Sequence, residues 1–161
     1  MPEPLSYEDV CKEAEEQLQK HTTGVLATAV GGHVTARSVV FAFEGLTTYF
    51  LTGESTRKFK QFSVNNQVAV VVHNVQIEGV VTHLGPTNKE QNSSILKLFA
   101  NSLPDDYMAI ARAPDTIYRF FKIKPKRVAL YHVLPDAHLR VIYVDEKKAL
   151  RFGITDDWSL S

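Results

Sequence analysis

Residues able to do chemistry concentrate between positions 36 and 60. The run Thr52-Gly53-Glu54-Ser55-Thr56-Arg57-Lys58 joins a stretch of strand character to one with helical spacing. A glycine-bearing turn that opens a helix presents free backbone N–H groups and the positive end of the helix dipole. Three hydroxyls (Thr52, Ser55, Thr56) and two cations (Arg57, Lys58) surround that turn. Many short donors plus positive charge at a helix N-terminus are what a phosphate monoester asks for. The plainer reading is an ordinary cap, with Ser55 or Thr56 closing the helix and the cations solvated. The turn is neither a Walker A sequence nor a dinucleotide fingerprint, because the required glycines are absent.

Arg37 lies upstream in a strand-like run, where period two puts it on one face with Val39, Phe41 and Phe43. An arginine among such neighbours needs a partner, because burying an unpaired charge is costly. An edge position reaching solvent, an ion pair with Glu44 or Glu78, and a bound anion all satisfy that need. Other chemistries find less support. The six histidines form no His-x-His or His-Glu-x-x-His pattern, and Cys11 is the single cysteine, so no metal site is expected. No Gly-x-Ser-x-Gly elbow occurs, which leaves nucleophilic catalysis without a motif. Arg119, Lys122, Lys124, Lys126 and Arg127 interleave with Tyr118, Phe120 and Phe121, as on a surface that stacks single-stranded bases. A solvated strand end explains the same pattern. Trp158 either caps a ligand or docks the tail.

The elements that must position these residues follow from periodicity. Ser6 with Asp9 resembles a capping box, and Val10, Ala14 and Leu18 recur every four residues, which predicts a helix over 7–20. β-branched runs predict strands over 24–30 and 34–43, joined by Gly31-Gly32, and over 47–52. A short helix over 56–64 precedes strands over 67–74 and 75–84. Helical spacing returns over 89–102 and 105–112, and strand character over 116–123, 127–133 and 139–144. Some eight strands joined mostly by short turns favour antiparallel pairing in a closed or nearly closed barrel with three or four helices. The expected fold is mainly β (α+β), an antiparallel split β-barrel of six to eight strands with flanking helices, as a single domain over 1–161.

Arg37-Ser38-Val39-Val40, Tyr49-Phe50-Leu51-Thr52, Ser55-Thr56-Arg57-Lys58, Asn65-Asn66-Gln67-Val68-Ala69-Val70 and Ile77-Glu78-Gly79-Val80-Val81-Thr82 together form a recognisable order. It resembles the FMN-binding split barrel of the pyridoxamine 5′-phosphate oxidase-like superfamily. The resemblance covers residues 24–85 and continues weakly to 142. It implies FMN as cofactor, with Arg37 and Lys58 on the phosphate and Ser55, Thr56 and Arg57 lining its pocket. The backbone at Ser38, Val39 and Val40 would face the ring edge, and Thr52 would lie near the ring or ribityl chain. It further implies a homodimer with flavins at the two-fold interface, and an oxidoreductase acting on a small molecule. Relatives also replace the flavin by a deazaflavin or haem. The substrate segment of the vitamin B6 oxidases, Arg-Leu-x-Pro-like, has no counterpart in Arg151-Phe152-Gly153-Ile154-Thr155-Asp156-Asp157-Trp158, so vitamin B6 oxidation is not expected.

Composition narrows the classes. The 161 residues carry 18 Lys plus Arg and 18 Asp plus Glu, a net charge of zero. Such a chain lacks the long-range field that drives generic binding to nucleic acid or anionic membranes. Charge is nevertheless uneven: residues 1–20 hold six acids and two bases, and residues 112–127 hold six bases and one acid. No apolar run exceeds five residues, against the ~20 that a membrane-spanning helix needs. The opening Met-Pro-Glu-Pro-Leu-Ser has no secretory pattern, and one cysteine agrees with a reducing compartment. A cytoplasmic protein with no nucleic-acid or membrane partner is expected. The alternative is a small β-barrel module that binds single-stranded nucleic acid or another polyanion without flavin.

Overall fold

A computed structural model of the chain describes residues 1–157. Its elements run β1 (Glu3–Leu5), α1 (Tyr7–Gln19), β2 (Thr23–Val30), β3 (His33–Val40), β4 (Ala42–Glu44), β5 (Thr47–Gly53), α2 (Arg57–Val64), β6 (Gln67–Val72) and β7 (Val75–Pro86). A 3-10 turn (Glu90–Asn92), α3 (Ser93–Leu98) and α4 (Asp105–Arg112) follow. The chain closes with β8 (Tyr118–His132), β9 (His138–Tyr143) and β10 (Lys148–Gly153). All ladders are antiparallel, in the order β1-β10-β9-β8-β7-β6-β2-β3, with β4 on β5 and β5 on β8.

The barrel is split because β8 changes partners along its length. Residues 118–123 pair with β5, and residues 127–132 pair with β9, while β7 follows β8 throughout. Sequence reasoning expected two strands here, separated around Pro125. Pro125 instead sits opposite Gly79, where the register with β7 shifts. A bulge tolerates a residue that cannot donate to the ladder, so one long strand survives the proline. A Cβ at Gly79 would press on the Lys124 carbonyl oxygen and meet Ile123 Cγ2 at 3.0 Å. Gly79→Ala is therefore expected to cost about 3 kcal/mol. Thermal unfolding would show that as a midpoint lowered by roughly 6–12 °C; an unchanged midpoint would mean the β7–β8 seam yields easily.

The predicted run 34–43 leaves the β2 ladder after Phe41, whose N–H still donates to the Thr22 carbonyl at 2.8 Å in the register of Thr23 opposite Val40. The chain turns there into β4, so β3 pairs only with β2 and its other edge carries no ladder. The predicted helix over 89–102 is shorter than its spacing suggested. Buried Asn92 donates to the Leu84 and Pro86 carbonyls at 3.0 and 2.9 Å, and α3 begins only after it. Strands β1 and β10 were not expected. They extend the sheet beyond β9, with Glu3–Leu5 against 149–151.

Helix α1 forms as its spacing requires. Ser6 Oγ accepts from Asp9 N–H at 3.3 Å, and Val10, Ala14 and Leu18 are buried. They join Leu26, Phe41, Phe50, Phe62 and Phe121 in the main core. The Phe50, Phe62 and Phe121 rings lie 4.9–5.8 Å apart, which clamps α2 onto the sheet. A second core beneath α3 and α4 gathers Phe99, Met108 and Phe120. Among the described residues, no helix is long and apolar enough to cross a membrane.

Candidate functional site

The unpaired edge of β3 and the end of β5 face one another without a ladder, and α2 begins directly after β5. A groove of about 540 Å³ opens at this seam. Seven of the nine residues singled out in the sequence line it: Ser38, Val39, Val40, Thr52, Ser55, Thr56 and Lys58. Because β3 lacks a neighbour on this side, its backbone N–H and carbonyl groups are available to a ligand.

Thr56 is the N-cap of α2. Its Oγ1 accepts from Phe59 N–H at 3.4 Å, donates to the Gly53 carbonyl at 2.9 Å and lies 3.2 Å from Thr52 Oγ1. Thr56 is thus the helix cap of the plainer reading, and its one hydroxyl proton goes to the Gly53 carbonyl. The N–H groups of Arg57 and Lys58 stand in the first helical turn, where no intrahelical carbonyl can reach them.

Arg37 and Arg57 are not part of the groove lining. Arg57 is exposed on the first turn of α2. Arg37 lies behind the wall, where its Nη1 donates to the Leu26 carbonyl (3.2 Å) and Thr28 Oγ1 (2.8 Å). Its Nη2 donates to Thr35 Oγ1 (2.7 Å) and Gln61 Oε1 (2.9 Å). The Gln61 oxygen also accepts from Thr28 and Thr35, at 2.6 and 2.7 Å. Every one of these partners is neutral. Of the partners open to it in sequence, neither Glu44 nor Glu78 forms an ion pair with Arg37, and Glu78 is bound to Arg127. Burial lowers the Arg37 pKa, and Arg57 lowers it further. Burial likewise lowers the Lys58 pKa, followed by the charge of Arg37. Arg37, Arg57 and Lys58 therefore form a cationic corner with no carboxylate in salt-bridge contact among the described residues.

The acid within the loop is turned away. Glu54 Oε1 accepts from Arg119 Nε at 3.2 Å and lies 3.3 Å from His83 Nε2. Gly85 N–H donates to His83 Nδ1 at 3.0 Å, so Nε2 carries the ring proton and donates to Glu54. Phosphate or a similar anion thus meets donors and cations without facing a carboxylate, and the cationic corner fits such a group.

Sequence reasoning missed three supports of this site. Gln61, Thr28 and Thr35 fix the Arg37 side chain; a glutamine between Phe59 and Phe62 on a buried helix face was the available signal. The wall facing Lys58, which includes Leu103, Tyr107 and Tyr118, comes from sequence positions far from the loop. No group of three metal-ligating side chains occurs among the described residues. Burial pushes the Cys11 thiol up, away from the reactive thiolate. In the basic stretch, Phe120 and Phe121 are fully buried, and Lys126 pairs with Asp145 and Arg127 with Glu78. That stretch offers little stacking surface. Trp158 lies outside the described residues.

The antiparallel split barrel, with its seam between β3 and β5, belongs to a known fold class. The family model for pyridoxamine 5′-phosphate oxidase matches residues 10–132, and the chain belongs to that family. No curated protein matches the chain. Among solved structures, ChuZ of Campylobacter jejuni aligns with a TM-score of 0.71 at 16% identity, over 94% of this chain and 65% of that one. A pyridoxamine 5′-phosphate oxidase-related, FMN-binding protein of Nostoc punctiforme gives 0.61 at 14% identity, over 94% and 98%. The haem storage protein HutZ of Vibrio cholerae gives 0.57 at 15% identity, over 74% and 92%. At such identities the likeness is one of fold.

Proposed function

We propose that this chain is an FMN-binding flavoprotein whose flavin serves an oxidoreductase reaction on a small molecule. The observation that carries the reading is the cationic corner of Arg37, Arg57 and Lys58 at the start of α2, which no carboxylate among the described residues neutralises. Lys58, Ser55 and the first N–H groups of α2 would hold the phosphate, with Thr56 capping the helix beside it and Arg37 adding charge from behind. Thr52 and the free edge of β3 at Ser38, Val39 and Val40 would meet the rest of the cofactor. A bound flavin supplies hydride and electron transfer; the protein supplies binding, orientation and access.

Solved structures similar to this chain include both FMN-binding and haem proteins, and the lining supports the flavin reading. No His, Cys or Met lines the groove, whereas haem iron most often takes one of these as axial ligand. A phosphate-bearing cofactor matches the residues present better. The test is a titration of the purified protein with FMN, followed by absorbance and by quenching of flavin fluorescence. Saturable binding with the two visible flavin bands is expected. A protein that ignores FMN, or that takes haem with a Soret band at one equivalent, would overturn the reading.

A homodimer belongs to the same proposal. The outer face of β2, β3 and β6 carries small apolar residues, among them Ala27, Ala29 and Ala69, and leaves Val25, Val34 and Val71 exposed. Two copies meeting there would cover this face. Sedimentation of an 18.1 kDa species with FMN fully bound would contradict it.

A further inference from the structure

One side of the groove bears all its charge. Among the described residues, Lys58 is the one charged side chain in the lining. The facing wall comes from the segment between β7 and β8 and its junction with β8: Leu103, Pro104, Tyr107, Ile117 and Tyr118. The Tyr107 and Tyr118 rings are almost parallel, 12° apart in plane, with centroids 6.4 Å apart. Tyr107 is 48% and Ile117 66% exposed, so the wall offers apolar area that the described residues leave uncovered. Burial and then Tyr107 push the Tyr118 phenol up, so this ring brings no charge.

Arg119, the cation that follows Tyr118 on β8, is already engaged. Arg119 donates through Nη1 to the Thr116 and Tyr118 carbonyls at 2.9 and 3.0 Å, and through Nε to Glu54. Glu54 itself is held by Arg119 and His83, outside the lining. The groove therefore has one anion site at the start of α2 and a neutral, aromatic remainder.

We propose that Leu103, Tyr107, Ile117 and Tyr118 form the subsite for a second ligand, an uncharged planar aromatic molecule lying beside the phosphate-anchored cofactor. This rests on the flavin reading above. A phosphorylated second ligand would set an anion against a wall that carries no cation, which is costly. A neutral ring gains instead from apolar contact and from offset or edge packing on the two tyrosines.

The test uses a matched pair of probes, 2-naphthol and 2-naphthyl phosphate, titrated at neutral pH into the protein with and without saturating FMN, by calorimetry. With FMN bound, naphthol is expected to bind at least about tenfold tighter than its phosphate. Tyr107→Ala should weaken naphthol by about tenfold and be rescued by Tyr107→Phe. Equal binding of both probes beside FMN, or naphthol binding indifferent to Tyr107→Ala, would overturn the proposal. A protein that refuses FMN sinks the flavin reading alone: Tyr107-dependent naphthol binding would still uphold the subsite, and its absence would overturn it. A Tyr107→Ala variant that falls from dimer to monomer would assign the wall to a second copy instead, and overturn it too.

Discussion

Lys58→Ala is expected to weaken FMN by ten- to a hundredfold while riboflavin, which lacks the phosphate, loses about threefold or less. A charge-assisted contact to phosphate contributes roughly 1.5–3 kcal/mol, and each ~1.4 kcal/mol is a factor of ten. Lys58→Arg keeps the charge and should recover most of the affinity. Arg37→Ala should show the same selectivity for FMN, with an added loss of stability. Its guanidinium ties Thr28, Thr35 and Gln61 together. Dissociation constants for both ligands across these variants are the measurement. Equal weakening of FMN and riboflavin would mean that the two cations are structural.

The same lysine gives a pH signature with a definite sign. Burial and Arg37 depress the Lys58 pKa in the ligand-free fold, so the unfolded chain binds more protons than the native one between the folded and the unfolded value. Stability rises with pH wherever that holds. The strain of the charged form is fully present below the depressed pKa and is relieved as pH climbs through it toward the ordinary lysine value. A bound phosphate supplies the missing counter-charge and should flatten this rise. Chemical denaturation across the alkaline range, with and without FMN, reads the difference.

Phe121→Ala is the second large effect, and it connects the core to the site. Phe121 is fully buried on β8, and its ring lies 5.3 Å from Phe50, 4.9 Å from Phe62 and 5.9 Å from Phe59. Emptying such a position costs about 3–5 kcal/mol, which lowers the thermal midpoint by roughly 6–20 °C. Phe59 and Phe62 both belong to α2, so the helix that presents Lys58 loses the surface it rests on. FMN affinity should therefore fall at temperatures where the variant is still folded, and riboflavin should fall less. A destabilised variant with unchanged FMN affinity would show that α2 is held in place by other contacts.

Much of this was legible in the chain itself. The apolar spacing of Val10, Ala14 and Leu18 specifies one buried helix face, because side chains four apart lie on one stripe whatever the helix packs against. The turn 52–58 shows its donors and cations directly, since loop residues and the helix start are adjacent in sequence. Gly31-Gly32 marks a hairpin whose geometry is set within a few bonds: both glycines adopt positive φ, 55° and 82°. Local rules suffice where the interacting groups are local.

What only the tertiary structure decided depends on groups far apart in the chain. Pro125 reads as a strand breaker until Gly79, 46 positions earlier, places a bulge opposite it. Glu54 reads as a carboxylate inside an anion loop until His83 and Arg119 turn it aside. Arg37 reads as needing a partner that sequence leaves open, and its hydrogen bonds go to neutral oxygens from β2, β3 and α2, so its charge is left to act on Lys58. The second wall of the groove arises because β7 and β8 bring the segment between them back over the β3–β5 seam. A sequence carries the types of these residues, but their pairing is set by burial and ladder register, which exist only once the sheet has closed.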